Sequence, residues 1–320
     1  MDSPPRVASL LPSATEIVCA LGAEGSLVGV SHECDFPAPA TRGKPVLTST
    51  RVQKAGSSAA IDRGVREILR DALAVYEVDV EALERAAPDV IVTQDLCDVC
   101  AVSLEDVRSA ILTIAKPNIR IVNLHPTRLE EVLGDVLAVG QAIGREREAR
   151  GVVAGMRARL AAVCARAERL PGPRPSVLTV EWLDPVMVGG TWMPELVSIA
   201  GGRALVTQAG DHAPTLSAQE LARLAPEVVV IKPCGFDLDR TRPEIPAFLD
   251  AVRAATRDRE WPALREGRVW IADGNAFFNR PGPRLADSAE ILAACLHPGE
   301  FGDLARLHAG AFERVPLRVP

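Results

Sequence analysis

Residues Arg128–Leu170 read RLEEVLGDVLAVGQAIGREREARGVVAGMRARLAAVCARAERL, without a single proline. Leu129, Val132, Leu133, Val136, Leu137, Val139 and Ile143 recur with the period of a helix. Helices of globular domains run to about 8–20 residues, so this extent reads as a long helix connecting two lobes. Gly140, Gly144 and Gly151 are the places where it would bend or break. It ends in Pro171-Gly172-Pro173-Arg174-Pro175, a boundary marked by residues that cannot continue a helix.

Working outward toward the N-terminus, short β-branched runs alternate with helical patterns. Val7–Leu11 is followed by Pro12-Ser13-Ala14-Thr15-Glu16, a helix start, and the helix runs to Gly22. Further strands are expected at Leu27–Val30, Val90–Thr93 and Ile119–Leu124, with a helix at Val80–Ala87. Beyond the boundary the theme repeats. Val177–Val180, Val228–Ile231 and Arg268–Ala272 read as strands, Pro194–Ile199 and Leu285–Leu296 as helices. The halves also match in detail: Glu16–Gly22 resembles Glu195–Gly201, and Ala82–Val92 resembles Glu220–Val230, in the same order. The expected fold class is α/β: two similar lobes, each a mainly parallel sheet flanked by helices. The division is residues 1–127 for the first lobe, 128–170 for the connecting helix and 171–320 for the second lobe.

The bulk properties agree. A chain of 320 residues, 48% hydrophobic, suits two lobes with packed interiors. The net charge of -6 comes without a basic run, which excludes nucleic acid as the natural partner. No apolar stretch approaches the roughly 20 residues needed to span a bilayer, so membrane insertion is not expected. The opening residues Met1 to Arg6 lack the basic start, apolar run and cleavage site of a secretory leader. A cytoplasmic location follows as an expectation.

Ligands of open α/β sheets bind beyond the carboxyl ends of the strands. The residues there are Pro12–Glu16, Ser31–Asp35, Gln94–Cys100 and His125 in the first half. In the second half they are Glu181–Asp184, Lys232–Phe236 and Asp273–Arg280. Four of the seven cysteines fall in this set: Cys34, Cys97, Cys100 and Cys234. They line the cleft as thiols, ligate zinc or an iron–sulfur cluster, or, for the Cys97/Cys100 pair, form a redox dithiol. Cys19, Cys164 and Cys295 lie in helical patterns and read as core residues. His32 is a donor on the cleft wall or a ligand, whereas His297 and His308 read as solvated. Trp182 and Trp192 bracket Gly189-Gly190 and suit either a flat ligand or the lobe core. No phosphate-binding glycine loop and no nucleophile elbow is present, so no catalytic pair stands out and the chain reads as a binding protein rather than an enzyme.

Ser9-Leu-Leu-Pro-Ser-Ala-Thr-Glu16, then Val28-Gly-Val-Ser-His-Glu-Cys-Asp-Phe-Pro37, resembles the opening of helical-backbone periplasmic binding proteins. The cobalamin-binding component of vitamin B12 importers is the branch most similar. Ala87–Val92 and Asn279-Arg-Pro-Gly-Pro-Arg-Leu285 agree with it. The resemblance implies two lobes joined by a rigid helix, with a corrinoid such as cobalamin, or another metal chelate, in the cleft. It further implies delivery of that ligand to an ABC permease. Ser13, His32, Glu33, Glu181, Trp182, Trp192, Phe277, Asn279 and Arg280 would line the site. Trp182, Trp192 and Phe277 would contact the macrocycle. In the family each lobe offers a glutamate to the permease. Glu81 fits the first position, while the second holds Gln219 with Glu220 beside it. Family members are periplasmic or extracellular, and the Cys-rich loops are not general among them.

Overall fold

The computed structural model describes residues 3–52, 55–70, 75–94, 118–257 and 259–317. In the first half, Val7–Ser9 (β1) leads into Pro12–Ala20 (α1), with Pro12 in the first turn, where a missing N–H is tolerated. Leu27–Val30 (β2) and a short helix, Ala38–Thr41 (α2), come next. Thr48–Thr50 (β3) and Tyr76–Val78 (β4) then form an antiparallel ribbon that flanks helix Ser58–Arg70 (α3). Helix Val80–Ala86 (α4) is capped by Asp79, whose carboxylate accepts from the Ala82 amide at 2.8 Å. Val90–Gln94 (β5) and Arg120–Leu124 (β6) complete a parallel sheet of order β2-β1-β5-β6. Every residue of β5 is buried, as a strand covered on both faces requires.

The connecting segment departs from expectation. It is two helices, Leu129–Ala142 (α5) and Glu146–Ala167 (α6), joined by a turn in which Gly144 takes φ +71°. That left-handed conformation suits glycine and ends the helix. The arms pack closely, since a Cβ on Gly140 would lie 2.4 Å from that of Ala149. Each arm belongs to both lobes. Leu133, Val136 and Val139 of α5 join the first-lobe core, as do Val153 and Met156 of α6. Leu129 and Val132 of α5 join the second-lobe core together with Leu160 and Val163 of α6. The hairpin leaves the second lobe, turns within the first and returns. At 1.5 Å per residue α6 is about 33 Å long.

The second half begins with Ser176–Trp182 (β7), Met187–Val188 (β8), Met193–Ile199 (α7), Arg203–Ala204 (β9) and Ala218–Arg223 (α8). Val228–Ile231 (β10), Leu238–Thr241 (α9), Ile245–Thr256 (α10), Pro262–Arg265 (α11) and Val269–Ala272 (β11) follow. Leu285–Leu296 (α12), Gly302–Leu307 (α13) and Phe312–Arg314 (β12) close the fold. The sheet runs β12-β11-β10-β7-β8, with β9 also paired to β7. Its centre, β7, β10 and β11, is parallel, and β8 and β12 are antiparallel. Two apolar clusters cover each sheet. The parallel strands point the same way within each lobe, so their carboxyl ends define the site.

Three side chains correct the sequence reading. Trp192 is 4% exposed, sits in the second-lobe core and donates its indole N–H to the Phe278 carbonyl at 2.8 Å. It therefore offers no face to a ligand. His308 is buried beside Glu290, 2.7 Å away, and His297 is largely enclosed at the end of α12, packed against Phe301. Neither is a solvated histidine. Of the three helical cysteines, Cys295 is fully buried while Cys19 and Cys164 are only partly so.

Candidate functional site

The loops after β1 and β2 meet the loop after β11 across the cleft, and four charges join there. Glu16 of α1 is 3% exposed. It receives Arg284 Nε at 2.9 Å and Arg280 Nη1 at 3.1 Å, and Arg284 Nη2 also bonds it, at 2.5 Å. Arg280 turns its other edge to Asp35, donating at 2.6 and 3.0 Å, and its Nη2 also reaches Asn275 Oδ1 at 2.9 Å. This is the planar two-bond match that guanidinium and carboxylate favour. Burial works to raise the Asp35 pKa, but the Arg280 hydrogen bonds and charge outweigh it and hold the carboxyl below its ordinary range. Phe36 lies under the Arg284 guanidinium at 4.1 Å, and Phe277 is 5.3 Å from it.

Behind this cluster, at the ends of β7 and β10, Lys232 is completely buried. Its Nζ donates to Glu181 Oε2 at 2.8 Å and Asn279 Oδ1 at 2.7 Å. Asn279 in turn donates to the Lys232 and Gly274 carbonyls at 3.1 and 2.9 Å. Gly274 is obligatory here, because a Cβ would lie 2.1 Å from the Pro233 carbonyl oxygen. Trp182, half-buried, meets Phe236 edge-on with centroids 5.2 Å apart.

On the first-lobe wall, the His32 amide donates to Thr48 Oγ1 at 3.2 Å, and the same hydroxyl is 2.8 Å from Nδ1. The Tyr76 ring packs at 5.2 Å, and Nε2 faces Glu33 Oε1 at 3.5 Å. Ser13 lies inside α1 rather than capping it, and its buried hydroxyl has no hydrogen-bond partner among the described residues. At the far lip, Glu244 of the second lobe accepts from the Ser58 amide at 2.8 and 3.1 Å and also bonds the Ser58 hydroxyl. A carboxylate from one lobe thereby caps α3 of the other, where the helix dipole favours negative charge. A cavity of about 590 Å³ lined by Ala55, Gly56, Ser57, Arg240, Pro243 and Glu244 lies at this lip.

The thiol expectations divide. Burial pushes Cys34 up to about 11, against a hydrogen bond from the Thr15 hydroxyl at 3.1 Å, so it is a neutral thiol. Cys234 is exposed at the cleft edge. Cys97 and Cys100 lie outside the described residues. Among the described residues, the side chains grouped as metal ligands are Asp287, Glu290 and His308 behind the second lobe, where Arg159 already bridges both carboxylates. Cys34 and Cys234 join no such group. The zinc, iron–sulfur and redox-dithiol readings are left without support.

Of the residues read from sequence, Ser13, His32, Glu33, Phe277, Asn279 and Arg280 lie on loops or a helix start beyond the strand ends, Glu181 and Trp182 are the last residues of β7, and Trp192 lies in the core. Sequence reasoning left Glu16, Asp35, Lys232, Arg284 and the Ser58–Glu244 pair without a role. The spacing of Arg280 and Arg284 around Pro281-Gly282-Pro283, and a lysine ending an apolar strand, were the available signals. Glu81, 88% exposed, and Glu220, a capping-box residue, both stand in first turns, of α4 and α8.

The comparisons with known proteins come from sequence and from structure. The Bacillus subtilis (strain 168) protein named uncharacterized ABC transporter substrate-binding lipoprotein YvrC is 23% identical over 310 residues, 93% of this chain and 82% of that protein. A periplasmic heme-binding protein from Pseudomonas aeruginosa superimposes with TM-score 0.68 at 22% identity, over 98% of this chain and 97% of the other. The periplasmic vitamin B12-binding protein BtuF of Vibrio cholerae gives 0.61 at 18% identity, over 92% and 96%. These similarities overturn the cytoplasmic expectation, since the relatives are periplasmic or lipoprotein binding proteins. The opening residues of a chain do not decide its compartment. The sequence model of the periplasmic binding protein family matches residues 7–276, and with that match over most of its length the chain belongs to the periplasmic binding protein family, a family of binding proteins rather than of enzymes.

Proposed function

We propose that this chain is the substrate-binding component of an ABC importer and carries a metal tetrapyrrole, a corrinoid or heme, between its lobes. The observation that carries the reading is the composition of the strand ends. Trp182 and Phe277 of the second lobe are half-buried aromatics, and the first lobe adds the His32–Tyr76 pair. Flat apolar faces ringed by a few fixed polar groups suit a large planar ligand. Relatives whose names record heme or vitamin B12 binding support the ligand class. Glu81 and Glu220 are proposed as the contacts offered to the permease, one on each lobe.

The test is spectroscopic. Protein mixed with hydroxocobalamin or with hemin and passed through gel filtration should retain one chromophore per chain, with a shifted absorbance band. Protein that emerges colourless from both mixtures removes the reading.

A further inference from the structure

The charges that bridge the lobes are unequal in their exposure, and that inequality says something about the ligand. Arg280 is 7% exposed and Asp35 is 51% exposed at the side chain. Asp35 can swing away from Arg280 by rotation of its own side chain, while the buried Glu16 keeps both arginines across the cleft. Asp35 then gives up Arg280 and the Asn275 amide that donates to it at 2.8 Å, and passes into water. Arg280 stays in place with Glu16 at 3.1 Å and Asn275 at 2.9 Å as hydrogen-bond partners, and the two-bond edge that Asp35 held is open. Arg284 is in a different position, because it bonds Glu16 through two nitrogens and stacks on Phe36. Glu16 is nearly inaccessible and held by both arginines. Lys232 is satisfied within its own lobe by Glu181 and Asn279. The exchangeable contact in the cleft is therefore the one between Arg280 and Asp35.

We propose that Asp35 stands in for a carboxylate of the ligand: the cleft selects tetrapyrroles that bear free carboxylate side chains, and the ligand takes the edge of Arg280 that Asp35 holds. The proposal rests on the tetrapyrrole reading above and narrows it. A carboxylate matches the guanidinium edge with two charge-assisted bonds. An ester or a primary carboxamide offers a neutral oxygen in place of the charged pair.

Three probes separate the possibilities: hemin, hemin dimethyl ester and hydroxocobalamin, whose peripheral side chains are amides. Hemin is expected to bind most tightly, about ten- to hundredfold above its diester, the range of a hydrogen-bonded charge pair. Asp35→Asn removes the competing carboxylate at an exposed position. It should tighten hemin by about tenfold and leave the diester unchanged. Arg280→Gln should bring hemin down to the affinity of the diester, with circular dichroism confirming the fold. Equal affinity for hemin and its diester, with Asp35→Asn indifferent to both, overturns the inference and leaves the tetrapyrrole reading standing. Tighter binding of hydroxocobalamin than of hemin also overturns it. Failure of all three probes overturns the tetrapyrrole reading itself, and the inference with it.

Discussion

Glu181→Gln is expected to destabilise the second lobe more than Lys232→Met, although each removes the same ion pair. Lys232 is wholly buried, whereas the Glu181 side chain is 23% exposed. Taking away the negative charge leaves the ammonium with neutral acceptors, the new glutamine amide oxygen and Asn279 Oδ1 at 2.7 Å. Removing one partner of a buried pair costs about 3–5 kcal/mol, and the partial hydration of Glu181 places this case near about 3. Lys232→Met leaves a carboxylate that can reach water and an Asn279 oxygen short of one donor, a cost of about 1 kcal/mol. All four tryptophans, at positions 182, 192, 261 and 270, lie in the second half of the chain, so indole fluorescence reports that lobe. With a urea dependence of about 2 kcal/mol per molar, the midpoint should fall by about 1.5 M for Glu181→Gln and about 0.5 M for Lys232→Met. Equal shifts, or a larger one for Lys232→Met, would refute the assignment of the cost to the stranded ammonium.

Two further outcomes are expected. Burial, with Glu131 one turn away, raises Asp135 to about 7, and one of its oxygens has no hydrogen-bond partner among the described residues. An acid whose pKa is raised on folding is held neutral at no cost in acid. It lowers stability as pH climbs from its unfolded value toward 7, so Asp135→Asn should stabilise by about 2–4 kcal/mol at pH 8 and by almost nothing at pH 4, measured by calorimetry at both. A gain that does not depend on pH would contradict this. For docking, Glu81→Lys combined with Glu220→Lys should reduce ligand-stimulated ATPase activity of the reconstituted importer at least tenfold without changing ligand affinity. Unchanged stimulation would exclude these two glutamates as the contact.

The architecture was readable because its causes are local. β-branched runs ended by turn residues, and helices started by Pro12 and ended by Gly22 or Gly201, place each strand end without knowledge of the rest. The helix hairpin was half-readable. Gly144 was marked as a possible break, but the periodicity of Leu129–Ile143 looks the same whether the chain continues or folds back. What decides is the close approach of Gly140 to Ala149, which exists only once the arms pack. Trp192 misled because one-dimensional proximity to Trp182 says nothing about face. The two point to opposite environments across the Gly189-Gly190 turn, where a Cβ on Gly190 would lie 2.5 Å from the Asp211 carbonyl oxygen. The ion cluster was the least visible part. Glu16, Asp35, Arg280 and Arg284 are separated by up to 268 residues and acquire meaning only as partners.

The hairpin has a mechanical consequence. Two rods lying side by side, each embedded at both ends in a different body, form a flat strip rather than an axle. A strip yields most easily by flexing out of its own plane, and sliding of α5 along α6 is opposed where Gly140 packs against Ala149. Relative motion of the lobes is thereby channelled into a single shallow rocking mode. A cleft on such a mounting presents its two walls to any visitor at nearly fixed spacing, so size discrimination is built in before the first contact forms.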